Sequence, residues 1–152
     1  MRVRLYAVFK VKKFIIPILS IVLFGCNRET IKTEYLIDDI ERIGCVSIPK
    51  KYQILKNERV DFPKHGGDYT IFFELKFAPD EAKQLIEQIK NNICGYIDIL
   101  DSNDTINPLE MEEDSTWVHN KGIYYFKLKS DDLYQFRFEE STCIFTYSLI
   151  HH

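Results

Sequence analysis

The chain has 152 residues, about one domain's worth, and is 45% apolar and 14% aromatic. That composition supplies a packed core and excludes a disordered chain, and no internal repeat or low-complexity run interrupts it. The first 25 residues hold five of the 20 Lys and Arg (Arg2, Arg4, Lys10, Lys12, Lys13) and none of the 23 Asp and Glu. The remaining 127 residues therefore carry 15 basic against 23 acidic groups, a formal charge of −8. A body this acidic argues against a nucleic-acid partner, because phosphate binding needs an excess of Lys and Arg.

The uncharged run Phe14 to Phe24 is 11 residues long and follows Lys-Val-Lys-Lys. As a helix it would span roughly 16 Å, against about 30 Å for a bilayer core, so it is too short to cross. Extending it backward draws Lys10, Lys12 and Lys13 into hydrocarbon at about 2.5 to 3.5 kcal/mol each. A charged start, a short apolar run and a small residue at the exit read instead as an export signal. Leu23-Phe24-Gly25-Cys26 then resembles the lipobox of bacterial lipoproteins, which carry a type II signal peptide. The resemblance covers the first 26 residues. It implies a diacylglyceryl group on the Cys26 sulfur, cleavage between Gly25 and Cys26, and acylation of the new amine. Two or three acyl chains, at about 0.8 kcal/mol per buried methylene, anchor far more firmly than one. Asn27, in place of the Asp that retains enteric lipoproteins, implies the outer rather than the inner membrane of the cell envelope.

A tether over 26–32 would reach roughly 24 Å when extended. A single domain follows over 33–152. Leu36, Ile37, Ile40 and Ile43 form one helical stripe in Thr33 to Ile43, with Thr33 as N-cap and Gly44 as stop. Tyr52 to Lys56 reads as a strand, and Asp61 to Asp68 as a loop. Tyr69 to Phe77 alternates most clearly of all. Pro79 opens the main helix, whose stripe is Ala82, Leu85, Ile86, Ile89 and Ile93, and Gly95 ends it. Tyr96 to Leu100 is a further strand, followed by an acidic loop from Asp101 to Asp114. Ile123 to Lys129, Leu133 to Glu139 and Cys143 to Ile150 form a meander joined by short polar turns. The fold class is α+β: an antiparallel sheet of about five to six strands, one main helix across one face, and a short N-terminal helix.

The chemistry-bearing residues are sparse. Outside the cytoplasm two of Cys45, Cys94 and Cys143 can pair, while Cys94 and Cys143 suit apolar core positions equally well. Their spacing excludes a local metal knuckle. His65 and His119 read as solvated loop residues, and His151 and His152 as a fraying tail. Asp101, Asn103, Thr105, Asn107 and Glu112 fall on the ligand positions of an EF-hand-like frame, but Ile106 stands where the turn needs Gly, so a solvated loop fits better than a calcium site. No GxSxG, P-loop, HExxH or dinucleotide fingerprint is present, and the expectation is no catalytic residue, metal or cofactor.

What stands out is an aromatic surplus. Phe and Tyr number 16 beyond residue 25, with Trp117 besides, and several strands carry aromatics on both faces. A single helix covers one face. The second is expected to be closed by the N-terminal helix or the acidic loop, or else to form a partner surface with an acidic rim, drawn from Phe72, Trp117, Tyr125, Glu110, Glu112, Glu113 and Asp114. The sequence thus points to a lipid-anchored, non-enzymatic binding or inhibitor module, of the kind an immunity protein represents, held to the membrane through Cys26 and meeting a protein partner. The rival readings are a subunit of an envelope assembly, a ligand-capturing surface lipoprotein, and a small carboxylate-dependent hydrolase.

Overall fold

A computed structural model describes residues 28–62, 67–98 and 115–151. Its elements, in chain order, are β1 (Arg28–Glu29), α1 (Thr33–Gly44), β2 (Tyr52–Asp61), β3 (Tyr69–Phe77), α2 (Pro79–Lys90), β4 (Tyr96–Asp98), β5 (Trp117–Asn120), β6 (Ile123–Lys129), β7 (Asp132–Glu139) and β8 (Ile144–His151). All strands join one sheet in the order β1-β2-β3-β8-β7-β6-β5-β4. The chain is α+β, as its periodicities require, but the sheet is larger than five or six strands and is mixed. Every pairing is antiparallel except β4 with β5, where Tyr96, Ile97 and Asp98 lie beside Trp117, Val118 and His119 in parallel. Parallel neighbours need a crossover of a dozen residues or more, and residues 99–116 supply that length.

The meander β6-β7-β8 forms as its turn residues dictate, and β8 joins it to the rest of the sheet by pairing with β3 from Tyr69 to Lys76. β2 is twice the length read from Tyr52 to Lys56. Its charged half from Lys56 to Asp61 has no apolar alternation, and its pairing with β3 makes it a strand. A bulge at Leu55 shifts the register between Ile54 and Lys56, kinking this near-edge strand. The segment expected as a free tether is partly engaged: Arg28 pairs with Val60 and Glu29 with Arg59.

Alternation assigns the sheet two unlike faces. Ile71, Phe73, Leu75 and Phe77 of β3, Phe145, Tyr147 and Leu149 of β8, Phe136 and Phe138 of β7, and Tyr124 and Phe126 of β6 are buried on one face. Both helices lie there. Leu36, Ile40 and Ile43 of α1 and Ala82, Leu85 and Ile89 of α2 join the same core. α1 therefore shares the face of α2 and does not cover the second face. Thr33 is its first helical residue rather than its cap, and the helix runs through Gly44 to a left-handed Cys45 (φ 53°). α2 ends at Lys90, so Ile93 falls outside the helix and is 94% exposed. No helix among the described residues is long and apolar enough to cross a membrane.

Two devices fix the helices on the sheet. The Trp117 indole is fully buried, and its Nε1–H donates to the Gly44 carbonyl at 2.8 Å. A disulfide joins Cys45 to Cys94 (Cα–Cα 6.2 Å), tying the C-terminal end of α1 to the segment after α2, and Cys143 stays a free thiol. The Asn92 amide reinforces this bridge by donating to the Gly44 and Cys45 carbonyls at 3.1 and 2.7 Å.

Candidate functional site

Strand periodicity carries Phe72 and Tyr125 to the face that neither helix covers. Cross-strand register puts Lys56 and Glu58 of β2, Thr70, Phe72, Glu74 and Lys76 of β3, Thr146 and Ser148 of β8, Gln135, Arg137 and Glu139 of β7 and Tyr125 and Lys127 of β6 on this one surface. Most of these side chains are half-buried, with full burial at Thr70 and at the β5 border, where Val118 and Asn120 sit. The charges are interleaved. Lys56 Nζ stands 4.7 Å over the Phe72 ring and 3.7 Å from Glu58, and Arg137 donates to Glu139 at 3.1 Å. Ser141 and Arg137 together hold the Glu139 carboxyl below its ordinary value. Aromatic rings flanked by cations and carboxylates offer both apolar contact and orienting charge, the mixture found in protein interfaces.

Trp117 does not belong to this surface. Its parity in β5 turns it into the core against Phe126, Phe136 and Phe145, at ring separations of 5.4, 6.0 and 6.5 Å. Glu110, Glu112, Glu113 and Asp114 lie outside the described residues, as do the EF-hand-like frame, Gly25, Cys26, His65 and His152.

At the β4–β5 corner the register aligns Asp98, His119 and Tyr124 across three strands. His119, read from the sequence as a solvated loop residue, is a strand residue whose two ring nitrogens are both engaged. Gly122 N–H donates to Nε2 at 3.1 Å, which leaves the proton on Nδ1, facing Asp98 Oδ1 at 2.9 Å. The ring stacks on Tyr124 at 4.4 Å, and the Tyr124 hydroxyl donates to Glu140 at 2.7 Å. Lys121 (φ 50°) and Gly122 (φ 77°) turn the chain as a type I′ hairpin requires. Burial and the nearby Glu140 carboxylate raise the Tyr124 phenol well above its ordinary value. The imidazole is committed to holding this turn, and no thiol or hydroxyl among its described hydrogen bonds is positioned for it to activate.

A second histidine sits at the other end of the sheet. His151 is the last residue of β8 rather than part of a frayed tail. Its Nδ1 lies 2.5 Å from Asp132, and Tyr69 stacks on its ring at 4.7 Å. Arg59 continues the stack at 4.1 Å over Tyr69 and bonds Asp61 at 2.8 Å. Between the helices an open groove of about 830 Å³ is lined by Glu41, Arg42, Ser47, Glu87, Gln88 and Ile93, among others. Ser47 N–H donates to Gln88 at 2.6 Å and Ile48 N–H to Glu41 at 2.7 Å, so its polar groups brace the helices. No group of three or more His, Cys, Asp or Glu among the described residues is arranged to hold a metal.

Neither the protein-family models, the curated proteins nor the solved structures compared with the chain match it.

Proposed function

We propose that this chain is an exported, lipid-anchored protein of the bacterial cell envelope that works as a non-enzymatic binding or inhibitor module. Three features support the reading at three levels. The Leu23-Phe24-Gly25-Cys26 sequence supplies a thiol for lipidation behind an export signal. The Cys45–Cys94 bridge suits an oxidising compartment, since such bonds seldom persist in the cytosol. Among the described residues no helix covers one broad face of the sheet, and on it Phe72 and Tyr125 stand among paired charges.

That open face is the observation that carries the binding role. Rigid strands hold its aromatics in place, so little conformational entropy is lost on contact. The −8 charge of the body speeds encounter with a basic partner and rejects acidic ones. An immunity-like inhibitor of a basic effector arriving at the envelope fits both properties.

The test is affinity capture from envelope extracts with the native lipidated protein and a Phe72→Ala/Tyr125→Ala variant. A stoichiometric partner that is lost at high salt and lost with the variant supports the proposal. Equal capture by both proteins removes the open face from the account, and a large co-purifying complex insensitive to salt makes the chain an assembly subunit instead.

A further inference from the structure

The way the chain enters the sheet fixes how the domain stands on its membrane, given the lipid anchor proposed above. Asn27 alone separates Cys26 from Arg28, whose backbone pairs with Val60. Two residues of extended chain span about 7 Å. The polar layer on each side of a bilayer is roughly 5 to 8 Å deep. A sulfur fixed at the top of the hydrocarbon therefore leaves almost no slack above the headgroups.

The attachment does not depend on the two residues of β1 alone. Asn57 clamps Ile31 at both of its backbone groups: Ile31 N–H donates to Oδ1 at 3.2 Å, and Nδ2 donates to the Ile31 carbonyl at 2.7 Å. Were β1 to peel away, Ile31 would still be held, and the reach from Cys26 would grow only to about 17 Å.

Register names the end that faces the lipid. β1 runs antiparallel to β2 from Arg28 opposite Val60 to Glu29 opposite Arg59, so its N-terminal end lies at the end of β2 that continues into Asp61 and Phe62. Tyr69, His151 and Asp132 share the row of Asp61 at this end. Phe62 is 42% exposed, and its N–H is bonded to the Asp68 carbonyl at 2.8 Å, which holds the start of the hairpin loop. Arg59–Asp61 and His151–Asp132 pair with each other, so this end carries no basic patch built from those groups to seek anionic lipid. An exposed apolar ring of this kind inserts at the boundary between headgroups and acyl chains, as Trp, Phe and Leu do on interfacial helices.

We propose that the β2–β3 end of the sheet rests on the headgroup layer with Phe62 at the interface, and that the Asn57 clamp keeps the domain seated there. β4 is then the far edge, about 34 Å across the sheet from β1 at roughly 4.8 Å per strand. Asp98, His119 and Glu140 lie at the opposite end of the strands as well, so their corner stands diagonally away from the membrane.

The experiment uses the full lipidated protein in phosphatidylcholine vesicles that contain brominated phosphatidylcholine, with one tryptophan added as Phe62→Trp or, as control, Ile97→Trp on β4. Trp117 is buried in both and serves as internal reference. The added Phe62→Trp emission is expected to fall by on the order of half, since interfacial groups sit about 5–10 Å deep, within reach of the bromines, while Ile97→Trp emission is unchanged. A flexible Gly-Ser insertion between Asn27 and Arg28 should return Phe62→Trp to the control value. Vesicle-bound protein with no quenching at position 62, or equal quenching at 62 and 97, overturns this seating while leaving the anchor intact. Protein that does not float with vesicles and carries an unmodified Cys26 overturns both.

Discussion

On the helix-covered face, successive inward positions of β6, β7 and β8 are Tyr124, Phe126, Phe136, Phe138, Phe145 and Tyr147, each at most 2% exposed. On the open face, the intervening positions of the same strands are Tyr125, Lys127, Gln135, Arg137, Thr146 and Ser148, half-buried and mostly polar. One set of strands thus serves two purposes. The aromatic layer is closed where α1 and α2 pack on it, and under the proposed function the opposite face serves recognition. The contrast predicts that equal-sized truncations on the two faces have unequal effects.

The largest loss is expected from Trp117→Ala, about 3–5 kcal/mol, because the change opens a cavity among Phe126, Phe136 and Phe145 and leaves the Gly44 carbonyl with Asn92 in place of two donors. Denaturant unfolding measures it, and a loss under ~1 kcal/mol would show that Trp117 is not the keystone of that face. Opening the Cys45–Cys94 bridge by Cys45→Ser should cost about 2–4 kcal/mol, since the bridge spans 49 residues. Reductant should shift the parent by a similar amount and the variant not at all.

Alkali tests the covered face through its tyrosines. Burial raises the Tyr124 and Tyr147 phenols above 10.0, and desolvation does the same for Tyr96 and Tyr134. A raised folded value means the neutral form is favoured by folding. That stabilisation is complete below about pH 10 and is lost as pH climbs through the folded values. Absorbance titration at alkaline pH should therefore show Tyr124, Tyr147, Tyr96 and Tyr134 ionising only together with unfolding. Independent ionisation of all tyrosines near pH 10 would contradict the closed layer.

Tyr147→Phe tests the same layer in the opposite direction. The Tyr147 hydroxyl is buried without a hydrogen-bond partner among the described residues, so its removal should stabilise by about 1 kcal/mol. Smallest of all, Phe72→Ala/Tyr125→Ala should change stability by about 1 kcal/mol or less and show itself in partner capture instead. A loss of several kcal/mol there would mean that the second face is also core.

The two helices, β3 and the meander were legible in the sequence because each buries one stripe or one parity against a single layer. β5 was not: Trp117-Val118-His119-Asn120 is too short to display alternation, and only pairing with β6 makes it a strand. That omission also misplaced Trp117, since the face a strand side chain takes depends on register, which no local pattern encodes for four residues. Both helices sharing one face was equally hidden, because amphipathicity tells that a stripe is buried but not against which face. The two Phe and Tyr positions of the candidate surface, Phe72 and Tyr125, were readable as opposite in parity to their neighbours. Their convergence across β3, β8, β7 and β6 required the topology.

The most direct check is the intact mass and N-terminal peptide of the native protein taken from membranes. The expected result is a chain beginning at Cys26 with a diacylglyceryl thioether on its sulfur and an acylated amine. A chain that retains Met1 and carries a free Cys26 thiol would contradict the anchor, the compartment and the seating built upon them.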